Sequence, residues 1–176
     1  MAGIVKILES EISGAVSNVD LDNIFDDTYD VYMIKAVDIG VETDQKTLQM
    51  RVRQDDGTLE DSNAAYNTSK LRVNDYGTSI DRIESVDQTK FFLTRSSLGT
   101  GTDEYANMII YLFNTRILAK TNIITIASIL DFNADFRLER GQGYHERTEK
   151  IRGVQFFASS GNLNNGKFVV YGFKKS

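Results

Sequence analysis

The 176-residue chain has no cysteine, no proline and a single histidine. Without thiols there is no disulfide framework, no thiolate metal site and no cysteine nucleophile. One imidazole excludes metal sites built on a pair of histidines. Apolar runs are short, the one around Ile123–Leu130 among the longest, whereas a membrane helix needs ~20 residues. The opening MAGIVKILESEISGAV has neither a basic start nor the continuous apolar stretch of a secretory signal. The expectation is a protein made in a cytoplasm, without an export address and without membrane insertion. The lack of proline is unusual for a β-rich chain, whose edges and turns often use it, and Gly and Asn stand in its place.

What is present reads as one globular domain. The chain is 41% hydrophobic and 26% charged, enough apolar material for a core at this length. The net charge of −5 hides an asymmetry. Residues 1–88 carry 18 Asp and Glu against 8 Lys and Arg, a balance of −10; residues 89–176 carry 7 against 12, a balance of +5. The acidic first half argues against nucleic acid as a partner, and the basic second half permits a local anion contact.

Along the chain the dominant period is two. Residues 1–14, with Ile4, Val5, Ile7, Leu8 and Ile12, suit an edge strand or an N-terminal arm that adds to a neighbour; residues 15–176 make the domain proper. Tyr29–Val37 alternates, and in Thr47–Arg53 Leu48, Met50 and Val52 alternate with Gln49, Arg51 and Arg53, the clearest half-buried strand. Asp56-Gly57 closes it with a turn signal. Leu59–Ile80 is polar, with a short helix expected around Asp61–Tyr66 and then a long excursion. Strands follow at Ile80–Val86, Lys90–Thr94, Tyr105–Phe113 and Thr121–Leu130, with a Gly-rich loop at Ser96–Thr102 and a polar loop at Phe132–Lys150. Ile151–Ser159 and Lys167–Phe173, joined by Ser160–Gly166, read as a closing hairpin dense in β-branched and aromatic residues. About eight short strands and no amphipathic helix predict an all-β fold, a jelly-roll-like antiparallel β-sandwich.

The residues that could carry chemistry are few. Asp20, Asp22, Asp26, Asp27 and Asp30 could offer oxygens to Ca²⁺ but lack the glycine and closing glutamate of an EF-hand loop, so a solvated turn is expected and no metal. Gly99-Thr100-Gly101-Thr102 has no following Lys-Ser or Lys-Thr and is no phosphate cradle. His145, near Glu139, Glu146 and Glu149, lacks a placed nucleophile and reads as a surface histidine in a polar loop. With 25 acidic residues, carboxylate pairs at glycosidase spacing arise by accident. No catalytic residue and no cofactor are expected. The candidates are surface contacts: Tyr66, Tyr76, Tyr105 and Tyr144 in or beside polar loops, where aromatics stack on sugars or anchor interfaces, and the basic Arg137 and Arg140. Core packing is the competing reading for the tyrosines. The loops expected to make contacts are Asp55–Tyr76, Ser96–Glu104 and Phe132–Lys150.

Three stretches carry a resemblance: YDVYMIK at 29–35, YANMIIYLFN at 105–114 and IRGVQFFASSGNLNNGKFVVYGF at 151–173. Their arrangement, with Gly161-Asn162, Gly166 and Val170-Tyr171-Gly172 at the end, resembles small β-rich virion proteins of tailed bacteriophages, those infecting marine bacteria and cyanobacteria in particular. Phe173 stands where an aliphatic residue is common in that pattern. The resemblance implies a non-enzymatic virion component, most often trimeric, in a tail fibre or baseplate appendage that contacts host glycan. The alternatives are a capsid decoration protein and, more remotely, a polysaccharide-degrading enzyme. The implied partners are further copies of the chain, other virion proteins and host surface glycan.

Overall fold

Alternation along Tyr29–Val41 (β3) decides where the core lies. Tyr32, Ile34 and Ala36 are buried, while Val31, Met33 and Lys35 face the other way. The same period runs through Ala106–Phe113 (β8), where Ala106, Met108, Ile110 and Leu112 point inward, and through Lys120–Leu130 (β9). Because side chains alternate across a strand, a register that sets Ile34 opposite Ile110 and Tyr32 opposite Leu112 brings all the inward residues to one face.

A computed structural model describes residues 3–74 and 80–174. The remaining strands are β1 (Ile4–Glu11), β2 (Val19–Leu21), β4 (Leu48–Gln54), β5 (Tyr66–Asn74), β6 (Ile80–Gln88), β7 (Phe91–Phe92), β10 (Phe136–Thr148), β11 (Ile151–Ala158) and β12 (Leu163–Lys174). They form an all-β sandwich of two antiparallel sheets, a long one ordered β1-β12-β3-β8-β9-β10-β5-β6 and a short one ordered β2-β11-β4-β7. Twelve strands replace the eight expected among the described residues, and their division into eight and four differs from a jelly roll's eight strands in two Greek keys. The segment at residues 4–11 lies at the edge of the long sheet, paired with β12.

The layers meet through aromatics. Phe156 of β11 stacks on Phe168 of β12 with ring centroids 4.1 Å apart, and Tyr66 of β5 meets Phe91 of β7 edge-on at 4.7 Å. Two buried tyrosine hydroxyls fasten loops to strands. Tyr32 accepts from Asp26 N–H at 2.7 Å and donates to its carbonyl at 2.8 Å. Tyr66 accepts from Val52 N–H at 3.0 Å and donates to the Glu60 carbonyl at 2.8 Å.

Four expectations fail, each for a physical reason. The closing hairpin is not a hairpin: β11 pairs with β2 and β4, whereas β12 pairs with β1 and β3 in the opposite sheet. Both strands carry one apolar face, and stacking those faces buries more than edge pairing would. Gly166, at φ +106°, sits at a register shift of β12 against β3, where a Cβ would come within 2.6 Å of the Val37 and Asp38 carbonyl oxygens. It marks a bulge, not a reversal. The short helix around Asp61–Tyr66 does not form; Ala64 takes a left-handed φ of 61° and Tyr66 opens β5. The polar middle and the polar loop Phe132–Lys150 are instead largely β5 and β10, paired residue for residue from Arg137–Asn74 to His145–Tyr66. Their inward positions hold Lys70, Glu139 and His145, so polarity hid the strands.

Candidate functional site

The extension β9-β10-β5-β6 turns an apolar face to solvent. Successive outward positions are Ile124 and Ile126 on β9, Phe136 and Leu138 on β10, and Leu71 and Val73 on β5, each between 39% and 50% exposed. The register aligns them in rows: Ile126 with Arg140 and Leu71, and Ser128 with Leu138 and Val73. Isolated exposed aliphatics are ordinary, whereas contiguous ones on a sheet face suit a contact surface.

At one end the face dips into an open groove of about 490 Å³. Its rows are Asn122–Tyr144–Asn67 and Ile124–Gln142–Ser69–Glu84. Tyr144 lies beside a chain of polar contacts that begins at Lys120. The Lys120 ammonium lies 4.9 Å from its ring centre and is itself paired with Glu146 at 2.5 Å. Glu146 accepts from Asn67 Nδ2 at 2.8 Å, and Asn67 Oδ1 accepts from Asp87 N–H at 3.0 Å. A positioned phenol ring beside amides, a hydroxyl and a carboxylate can offer a stacking platform together with directional hydrogen bonds. A neighbouring hollow shares Ser69, Ile124 and Gln142 and reaches Arg82 and Arg140, which adds positive charge next to the groove.

The structure sorts the expected contact residues. Tyr144 and Arg140 share the outer face of β10. Tyr66 is fully buried and belongs to the core, in line with core packing as its competing reading. Arg137 is only partly exposed, bonding Asp131 at 2.9 Å, Asp135 at 2.5 Å and Asn74 at 2.9 Å. Tyr105 lies elsewhere, half-buried against Gly40 and near the Gly99–Gly101 loop. Tyr76 lies outside the described residues. Of the three expected contact loops, Ser96–Glu104 is a loop, but much of Asp55–Tyr76 and Phe132–Lys150 is strand. Asn67, Asn122 and Gln142 escaped the sequence reading because nothing local distinguishes an outward strand amide from a loop one.

Two polar clusters lie between the sheets. In the first, Lys70 and Glu139 are both buried. Glu139 accepts backbone N–H bonds from Arg95 at 2.8 Å and Ser96 at 2.6 Å, and its Oε2 lies 3.5 Å from Lys70 Nζ. Lys70 also donates to the Leu93 carbonyl. Burial pushes the Lys70 ammonium pKa down, and Glu139 opposes that. The second cluster is Glu60, His145 and Glu149. His145 is not the surface residue expected; it is completely buried against Tyr66, ring centres 5.2 Å apart. Burial pulls its pKa to about 4, so the imidazole is neutral near pH 7. Burial also raises Glu149, helped by the Glu60 charge. At Glu60 burial works the same way, but hydrogen bonds from Ser62 outweigh it and the pKa ends lowered.

The acidic run gathers no such cluster. Arg53 pairs with Asp20 at 2.5 Å and Arg152 with Asp22 at 2.7 Å. Asp26 bonds Thr28 and Tyr32, and Asp27 lies near Arg116. Compared with known proteins, the chain matches no family model and no curated sequence.

Proposed function

We propose that this chain is a non-enzymatic structural protein of a tailed-phage virion, displayed on the particle in a tail fibre or baseplate appendage and engaged in host attachment. The observation that carries the reading is the outer face of the long sheet, where an apolar expanse runs into a groove carrying Tyr144. Neighbouring copies of the chain, in a trimer, cover the apolar rows around Leu138 and Ile126, and the groove takes host glycan. Stacking on Tyr144 suits the apolar face of a pyranose ring, and Asn67, Asn122 and Gln142 suit its hydroxyls. The virion assignment itself rests on the resemblance carried by the segments at 29–35, 105–114 and 151–173. No step of this function needs a catalytic residue or a cofactor.

Immunogold labelling of intact virions tests the placement. Label at the tail tip or fibres is the expected result. Label spread over the head replaces attachment with capsid decoration, in which one face grips the assembled shell and stabilises it by binding that state alone. Absence of the protein from purified virions overturns the virion reading.

A further inference from the structure

His145 is a buried imidazole with no hydrogen bond at either ring nitrogen. Buried polar atoms almost always find a partner, and an unpaired one calls for a physical explanation such as a bound water or ion. Its Nε2 faces two carboxylates at equal distance, Glu60 Oε2 and Glu149 Oε1, each 3.8 Å away. That is too long for a hydrogen bond, and Glu149 Oε1 is likewise buried without a partner. Three donor atoms therefore converge on one spot without satisfying one another.

The geometry points to a divalent transition-metal site formed by Glu60, His145 and Glu149, with Zn²⁺ as the fitting ion. One imidazole nitrogen and two carboxylate oxygens form a donor set that zinc accepts, whereas Ca²⁺ asks for six to eight oxygens. With metal bonds of about 2.1 Å, neighbouring ligand atoms of a tetrahedral site sit roughly 3.4 Å apart. The two His145 separations exceed that by about 0.4 Å, and no pair in the trio is more than 4.8 Å apart. Small rotations of the two glutamate side chains close the set.

The surroundings support the site. Glu60 is oriented by Ser62 N–H at 2.9 Å and Gln54 Nε2 at 3.0 Å, the outer-shell hydrogen bonding that fixes metal-ligating carboxylates. Glu149 is the solvent-facing member, with 31% of its side chain exposed, which provides an entry path and a fourth position for water. Arg147 is the competing cation, its Nε 3.6 Å from Glu60 Oε2. Its side chain is half-exposed and has solvent to swing into. The ligands come from three places: the loop between β4 and β5, the end of β10, and the turn into β11. A bound ion therefore ties the β4–β5 connection, which crosses from the short sheet to the long one, to β10. This role is structural, and it stands apart from the outer face and the function proposed for it.

The test uses the full chain stripped with EDTA and then titrated with ZnCl₂. One ion per chain by calorimetry is expected, with a melting temperature raised by roughly 5–10 °C when free zinc is a hundredfold above the dissociation constant. Glu149→Gln sits at the rim and keeps the fold, which its melting in EDTA checks. It is expected to weaken zinc binding by at least about 100-fold, the upper end of what losing an outer-shell partner alone costs. Glu60→Gln is expected to do the same, whereas Glu11→Gln, at an exposed carboxylate on the edge strand β1, leaves binding unchanged. No heat and no melting shift at millimolar zinc would overturn the site, as would binding that survives Glu149→Gln and Glu60→Gln intact.

Discussion

Glu139 and His145 project from the same face of β10 into the same space between the sheets, and the fold treats them in opposite ways. Glu139 is saturated by two backbone amides and the Lys70 ammonium. His145 has two carboxylates in view and bonds to neither. A buried charge with its lone pairs filled clamps what it touches, here the loop at Arg95–Ser96. A buried group left unfilled costs stability and keeps its capacity to bind. On one strand, the first cluster is a finished structural joint and the second is a set of ligands.

The largest expected effect comes from breaking the finished joint. Glu139→Ala strands the Lys70 ammonium and two loop amides, and should lower unfolding free energy by about 3–5 kcal/mol, measured by urea denaturation. A loss below about 1 kcal/mol, the scale of an exposed pair, would show that the cluster is no joint.

Next comes pH. The folded state holds His145 near pKa 4, below its unfolded value of about 6.5. Between those values the unfolded chain binds the proton more readily, so stability rises with pH there and is lost as pH falls from 6.5 through 4. The loss due to this residue is on the order of 3 kcal/mol. The groups around it, Glu60, Glu146, Glu149 and Arg147, titrate or act in both proteins when wild type is compared with His145→Leu, so the difference between their pH profiles isolates the imidazole. Parallel profiles would count against a buried neutral His145.

The same variant at pH 7 in EDTA separates the clusters more directly. His145→Leu removes an unpaired polar group and should change stability by less than about 1 kcal/mol, or raise it. A loss as large as that of Glu139→Ala would mean that His145 is satisfied after all, and the contrast would collapse.

The smallest effect on stability is expected on the outer face of the same strand. Tyr144→Ala should leave unfolding within about 0.5 kcal/mol of wild type while abolishing binding of the protein to host cells or host glycan. Retained binding would remove the groove from the proposed contact.

How much of this was legible follows the same division. Leu48, Met50 and Val52 announce β4 because their alternation is apolar inward and polar outward. β10 alternates just as strictly, but with Glu139, Gly143 and His145 inward and Phe136 and Leu138 outward, so the period was present and its sign inverted. Lys70 carried no signal in the sequence because the carboxylate that meets it, Glu139, lies on another strand. Tyr144 and Arg140 were singled out by residue type, and the structure sets both on the outer face of β10. Asn67 and Gln142 were not, because their roles come from the rows they occupy across β9, β10 and β5.

By itself the sequence determined the all-β character and most of the strands, because a period of two and a Gly- and Asn-rich punctuation are local properties. Only the tertiary structure decided that β11 and β12 belong to different sheets, that Lys70 meets Glu139, and that Glu60, His145 and Glu149 converge. Those outcomes depend on which distant strands pair and which faces stack. Alternation says which side of a strand is apolar, and the packing of the whole chain chooses what that side, or its polar exceptions, will touch.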